Sequence, residues 1–249
     1  LIAQELTYYG LDIYKKRELP RLLHALADVE GIDWIRLHYA YPSKFPTEIF
    51  EVMAERPEIC NYLDMPLQHA SDAVLERMRR QITRKETMQL VEKARIMVPD
   101  LTLRTTMLVG FPGETESEFQ ELCDFVTEME FDRLGVFQYS HEEDTIAHAL
   151  ADDIPAEVKA ERANALMEIQ QDISWGKNQA KVGQTFKTLF DRKEGEYFVG
   201  RTEGDSPEVD NEVLVKAADN YVRVGDFANV KITRAEDYDL YGDLETSEP

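Results

Sequence analysis

The residues able to do chemistry cluster where strand-like runs end. Five such runs close on polar or glycine-bearing segments: Gln4-Glu5-Leu6-Thr7-Tyr8-Tyr9-Gly10, His38-Tyr39-Ala40-Tyr41-Pro42, Asp64-Met65-Pro66-Leu67-Gln68-His69, Gly110-Phe111-Pro112-Gly113-Glu114-Thr115 and Gln138-Tyr139-Ser140-His141-Glu142-Glu143. In a parallel α/β barrel, active sites form at such strand ends. The glycines of Gly110–Thr115 let backbone approach a ligand, and the helix start that follows offers free N–H groups. The same turn serves equally as an ordinary helix start. It is neither a phosphate-binding P-loop nor a dinucleotide fingerprint. His69 reads as a hydrogen-bonded structural residue as readily as a base. No G-x-S-x-G elbow or H-E-x-x-H spacing is present, and Asp64 has no evident second catalytic acid. Arg104, inside an apolar run, is costly to bury unpaired, so it must face a polar lumen or meet a carboxylate.

The elements that carry these segments alternate. Strand-like runs are Leu1–Glu5, Trp34–Tyr39, Tyr62–Met65, Leu101–Val109 and Leu134–Tyr139. Helical spacing lies between them: Leu19, Leu22, Leu23 and Leu26, then Ile49, Val52 and Met53, then Val74, Leu75 and Met78. Thr115-Glu116-Ser117-Glu118 is a capping box ahead of Phe119, Leu122, Phe125 and Val126. Such alternation predicts a parallel sheet with helices outside it. A long helix is predicted over 155–180. After Val182 short strands punctuated by Gly195, Gly204, Pro207, Asn220 and Gly225 predict a small all-β barrel of about five strands. The expected division is 1–182 and 183–249.

Composition narrows the class. The chain has 249 residues and is 43% hydrophobic, enough for a substantial core. No apolar run approaches the about 18 residues of a membrane span, and no signal peptide is visible. The chain opens on Leu1-Ile2-Ala3 without an initiator Met and reads as a strand entered midway, so it is expected to continue a longer polypeptide. Cys60 and Cys123 form no disulfide framework and no C-x-x-C pair; they read as small buried residues of a cytoplasmic protein. No metal site is expected from the histidines. The net charge is −21, which repels phosphate backbones and attracts basic partners. Motifs alone reach an α/β-barrel enzyme of unspecified reaction.

Taken together, the same segments resemble one family. Leu1–Gly10, Trp34-Ile35-Arg36-Leu37 with Tyr39-Ala40-Tyr41-Pro42, Tyr62–His69, Met78-Arg79-Arg80, Arg104-Thr105-Thr106, Val109–Thr115 and Gly135–Ser140 resemble the barrel of RimO methylthiotransferases. Gly200-Arg201-Thr202, Ser206-Pro207-Glu208-Val209-Asp210 and Tyr238-Asp239-Leu240-Tyr241-Gly242 resemble their TRAM tail. The resemblance implies a partial radical S-adenosylmethionine barrel followed by an OB-like TRAM barrel. It implies S-adenosylmethionine and two [4Fe–4S] clusters in the whole protein, and methylthiolation of an aspartate β-carbon in a small-subunit ribosomal protein. The family's cluster cysteines are not in this sequence, and Cys60 and Cys123 match none of them, so this chain alone is expected to be inactive and to hold no cluster. Asp144 stands where the family's loop is expected to have glycine. By position, Gln4, Gln68, Arg104, Thr106, Gly110 and Tyr139 are the candidates for holding S-adenosylmethionine, Arg104 foremost as a carboxylate partner. The Gly110–Glu114 segment is expected to shape the adenine side.

Three other readings differ in class: a tRNA methylthiotransferase, a docking fragment without catalysis, and an aldolase-type barrel, which would need a Schiff-base lysine that the five strand runs do not contain. The tail bears on the first. Residues 183–249 hold 8 Lys and Arg against 16 Asp and Glu, and Glu203, Asp205, Glu208, Asp210 and Glu212 crowd one loop region. Nucleic-acid binders cluster positive charge. The expected partner of those five residues is therefore a basic ribosomal protein, with no tRNA and no membrane.

Overall fold

The computed structural model describes residues 1–218 and 220–245. They form two compact units, one of Leu1–Gln170 and one from Gln171 onward.

The first unit is an open parallel sheet with helices between its strands. In chain order it contains α1 (Leu11–Tyr14), α2 (Leu19–Ala27), β1 (Ile35–Leu37), α3 (Glu48–Glu55), β2 (Ile59–Asp64), α4 (Asp72–Arg77), α5 (Arg84–Met97), β3 (Thr102–Val109), α6 (Glu116–Met129) and β4 (Arg133–Gln138). Strand order is β1-β2-β3-β4, all parallel. The predicted helices form: α3 and α6 bury the whole stripe that their spacing marks (Ile49, Val52 and Met53; Phe119, Leu122, Phe125 and Val126), while α2 buries Leu19 and Leu23 and leaves Leu22 and Leu26 half-buried, and α4 buries Val74 and Leu75. The capping box is in place, with Thr115 accepting from the Glu118 amide and Glu118 from the Thr115 amide. A second box, Thr83 with Glu86, starts α5.

Four strands form the sheet where five were expected. Leu1–Glu5 is not a strand. The Leu1 nitrogen donates to the Arg36 carbonyl and the His38 amide to the Leu1 carbonyl, so the segment runs beside β1. Its next backbone bond to that neighbour is Leu6 to Tyr39, and Ile2 is 78% exposed. With no regular ladder between those points, the backbone is free to bend into the 3₁₀ turn Leu6–Tyr8. β3 also differs from the fully buried strand that its composition predicts. Burial alternates along it: Leu103, Thr105, Met107 and Val109 face the helices, while Thr102, Arg104, Thr106 and Leu108 face a half-open polar side.

The long helix α7 (Ala156–Ala180) buries a stripe sequence reading does not single out. Lys159, Arg162, Gln170, Ser174 and Asn178 are all buried, each at helical spacing and each with hydrogen bonds. Hydropathy periodicity cannot mark a face that is polar and hydrogen-bonded.

The second unit carries a closed barrel, ordered β5-β6-β7-β9-β8. Its strands are β5 (Thr185–Glu194), β6 (Tyr197–Thr202), β7 (Val213–Lys216), β8 (Phe227–Ala235) and β9 (Leu240–Leu244). Phe190, Phe198, Val213, Val215, Val230, Ile232 and Leu240 fill the interior. Closure leaves no long strand edge for another chain to pair with. Gly242 makes the tight packing possible, since a Cβ there would lie 2.4 Å from the Lys231 carbonyl oxygen and 2.6 Å from Val230 Cγ1. Backbone cannot yield cheaply to such a contact. Gly242→Ala is therefore expected to destabilise the barrel by about 2–3 kcal/mol, read as a lower urea midpoint with unchanged slope.

Candidate active-site cavity

Parallel register places Asp64 of β2 directly beside Arg104 of β3, on one face. Arg104 Nη1 donates to Asp64 Oδ1 at 3.1 Å. Asp64 Oδ2 accepts from the Tyr39 amide at 3.2 Å and lies 3.7 Å from His38 Nδ1. One carboxylate thus ties the ends of β1 and β2 to β3. Burial pushes its pKa up. The neighbouring His38 ring, the Arg104 charge and the Tyr39 amide outweigh that and hold the carboxyl below its ordinary range.

Beyond this pair the chain turns over the sheet. The Gln68 amide donates to the Thr106 carbonyl and the Leu108 amide to the Gln68 carbonyl, fixing Gln68 at φ 75°. The result is a cavity of about 470 Å³. Gln4, Gln68, Arg104 and Thr106, four of the six residues expected at the cofactor site, line it. Glu5, Tyr8, Tyr39, Tyr41, Arg80 and Phe137 also line it and were not singled out. The first four stand in the strand-end segments, so their position was the signal. Phe137 sits beside Leu108 in register, on the face that also carries Thr106. Arg80 follows α4 rather than a strand, and strand-end logic cannot find it.

Gly110 and Tyr139 are not among the residues lining this cavity. Gly110 has φ 73°, and a Cβ there would meet Lys159 Cγ at 2.3 Å, so it is the floor on which the Lys159 stem packs. Lys159 Nζ donates to the Tyr139 carbonyl at 3.3 Å and to Asp152 at 2.6 Å. The Tyr139 ring packs against Phe111 and Val74. Glu114 holds this region together. Its carboxylate accepts from the Gly110 amide at 2.9 Å and from Arg162 at 2.8 Å. His69, fully buried, accepts the Ser71 amide at Nδ1 and points Nε2 toward Glu114 at 3.5 Å. That arrangement places the His69 proton on Nε2. His69 is therefore a structural residue, and Glu114 shapes the glycine loop from within.

In the tail the five acidic residues divide. Asp205 is buried and accepts from the Thr202 hydroxyl at 2.6 Å; Asp210 accepts from the Ser206 amide at 2.8 Å. Glu212 forms a two-pronged pair with Arg192 at 2.7 and 3.0 Å. Glu203 and Glu208 face solvent. Glu208, Asp210 and Glu212 line a cleft of about 510 Å³, whereas Glu203 and Asp205 do not.

The donors expected for S-adenosylmethionine fit the first cavity: side-chain amides, a hydroxyl and guanidinium groups beside aromatic rings, in a volume typical of small-ligand sites. The cysteines do not fit an iron–sulfur cluster. Cys60 lies in β2 and Cys123 in α6, both buried, and burial pushes the Cys123 thiol up to about 11, away from the thiolate that iron needs. Among the described residues no group of three or more His, Cys, Asp or Glu is placed to hold a metal ion.

Comparison with known proteins agrees with both units. The radical SAM superfamily model matches residues 3–126 and the TRAM domain model residues 182–244. Curated proteins named ribosomal protein uS12 methylthiotransferase RimO are 59% identical in Flavobacterium johnsoniae, 61% in Cytophaga hutchinsonii and 52% in a Bacteroides fragilis strain. Each match covers 98% of this chain, and 56%, 56% and 57% of those proteins respectively. The chain matches the RimO family along 98% of its own length. It spans a little over half the length of these relatives. Among solved structures, coproporphyrinogen III oxidase (HemN) from Escherichia coli, described as a radical SAM enzyme, aligns with TM-score 0.52 and 19% identity. That alignment covers 64% of this chain and 37% of the oxidase, and it shows the shared fold.

Asp144, where glycine is expected, adopts φ 64°. Glycine enters that region freely, and aspartate is among the few other residues that tolerate it.

The Asp64–Arg104 pair sets a pH dependence. A carboxyl with a depressed folded pKa adds stability that is complete above the ordinary carboxylate range and is lost as pH falls through the folded value. Asp64→Asn is expected to cost about 2–3 kcal/mol at neutral pH, less than a wholly buried pair because the Arg104 side chain is 20% exposed. The gap between wild type and variant in urea denaturation should close progressively below about pH 4.

Proposed function

We propose that this chain supplies the S-adenosylmethionine cavity and the docking tail of a radical S-adenosylmethionine methylthiotransferase that acts on an aspartate of ribosomal protein uS12. The observation that carries the reading is the convergence of Gln4, Gln68, Arg104 and Thr106 on one cavity at the strand ends of a radical SAM fold. The named activity of the RimO relatives supports the reaction and the substrate.

In this reading each group has a task. Gln4, Gln68 and Thr106 take the polar edges of the cofactor. Tyr8, Tyr39, Tyr41 and Phe137 provide flat apolar surface and exclude water. Arg104, held by Asp64, presents its remaining donors in a fixed direction. When bound and given one electron from a reduced cluster, S-adenosylmethionine would supply radical hydrogen abstraction at an unactivated carbon, and the protein holds and aligns the reactants. Because Cys60 and Cys123 do not fit a cluster, no step of the reaction is assigned to them, and the chain on its own is inactive. The two [4Fe–4S] clusters belong to the remaining length of the protein. Residues 1–182 form the barrel part and 183–249 the TRAM part. Among the described residues no helix is long and apolar enough to cross a membrane, and a ribosomal substrate places the protein in the cytoplasm.

The tail, with its excess of acidic residues, docks the basic substrate. Glu203 and Glu208, both exposed, meet the partner's lysines and arginines, while Asp205, Asp210 and Glu212 hold the loop's shape. A titration of the chain with purified uS12 and with tRNA, at low and high salt, tests this. Binding to uS12 that weakens with salt, and that falls about tenfold in Glu203→Lys/Glu208→Lys, is expected. Tight salt-sensitive binding to tRNA, with none to uS12, would replace the assignment by the tRNA-modifying alternative.

A further inference from the structure

The cleft of about 510 Å³ in the second unit is built by a break in strand register. β5 pairs with β6 as Phe190 to Gly200 and then as Arg192 to Val199, so Asp191 is an extra residue, a bulge. Neighbours on a regular strand face opposite sides. The bulge lets consecutive Asp191 and Arg192 both line the cleft. Each is spent on its wall: Asp191 holds Arg201 at 2.9 Å, and Arg192 holds Glu212 at 2.7 Å. With both guanidinium groups neutralised, Glu208 and Asp210 are the surplus charge of the cleft. Glu208, held at φ 68°, has no hydrogen bond or ion pair among the described residues. Burial, with the charges of Glu212, Glu236 and Asp205, pushes the Asp239 carboxyl above its ordinary range, so negative charge at this end of the barrel is uncompensated. One polar group is also unmet. Asn211 lines the cleft and is 6% exposed, and its Nδ2 is buried with no hydrogen-bond partner. An unmet buried donor is costly until an acceptor reaches it.

We propose that this cleft grips an arginine-bearing segment of a basic protein at two points: Asn211 donates to a main-chain carbonyl, and Glu208 meets the arginine beside it. This rests on reading the tail as the docking element for a basic partner, and it names what the cleft takes from that partner. A small cation satisfies Glu208 but leaves the Asn211 donor unmet. A phosphate satisfies the donor but faces Glu208 and Asp210 with like charge. A basic peptide brings both the acceptor and the cation, and a guanidinium matches a carboxylate through two parallel hydrogen bonds. The bulge and its two ion pairs hold the walls beforehand, so little ordering cost remains when the peptide arrives. Asn211 therefore adds a directional contact to what is otherwise a general attraction between charges.

NMR titration of the chain with three probes tests the proposal: a short peptide with adjacent arginines between glycines and serines, its twin with citrulline in place of arginine, and spermidine. The arginine peptide should shift amides in residues 206–212 and bind about tenfold more tightly than the citrulline twin. Asn211→Leu should weaken the arginine peptide about tenfold yet melt at or above the wild-type temperature, since the donor it removes is unmet in the free protein. Glu208→Gln should weaken it about threefold. Asp243→Asn, which removes one charge from β9 outside the cleft, should leave it unchanged. Spermidine should bind weakly, and alike to wild type and Asn211→Leu. No binding of the arginine peptide, an unchanged affinity in Asn211→Leu, or an equal loss in Asp243→Asn overturns the cleft assignment. An oligoribonucleotide that displaces the peptide from the same amides overturns it too. Should Asn211→Leu not fold, Glu208→Gln and the citrulline twin decide, and no loss in either counts against the cleft. Wild type that binds the arginine peptide but not uS12 removes the docking role and leaves the cleft standing. Binding of uS12 that neither Asn211→Leu nor Glu208→Gln weakens removes the cleft and leaves the docking role.

Discussion

The architecture of the first unit turns on one ion pair. Asp64 and Arg104 sit side by side in the β2–β3 register, on the face of the sheet turned away from the helices. Either charge alone on that face would be costly, and together they fix which residues stand opposite one another. A slip of one residue would separate them and turn Arg104 toward the helices, where Leu103, Thr105 and Met107 are buried. The Tyr39 amide draws the end of β1 to the same carboxylate. The cavity wall is therefore set by electrostatics as much as by packing.

Much of the fold was legible because periodicity and caps act locally. The Thr115–Glu118 box and the apolar stripe of α6 are satisfied within one helix, and the structure shows both. Leu1–Glu5 was misread because strand propensity says nothing about whether a neighbour offers a ladder. With only its first and last bonds to β1, the segment turns instead. The buried polar stripe of α7 was hidden for the opposite reason. Lys159, Arg162 and Gln170 read as solvent-facing, yet each finds a specific acceptor far along the chain.

The site was partly legible for the same reasons. Strand-end logic finds Gln4, Gln68, Arg104 and Thr106, because a parallel sheet gathers its strand ends. It also draws in Gly110 and Tyr139, whose segments end strands but whose contacts run to Lys159 and Glu114. It passes over Arg80, which reaches the cavity from beyond a helix. In the tail, charge counting finds the acidic loop but cannot tell carboxylates that build it, such as Asp205, from those that face water, such as Glu203.

The central claim is that the cavity beside the Asp64–Arg104 pair receives S-adenosylmethionine. Amide hydrogen exchange of the chain with and without saturating S-adenosylmethionine tests it most directly. Slowed exchange in the segments around Tyr39–Tyr41, Pro66–Gln68, Arg104–Thr106 and Phe137, with the β-barrel unchanged, is the predicted result. Protection confined to the barrel of the second unit, or to the Glu114 region away from the cavity, would contradict it.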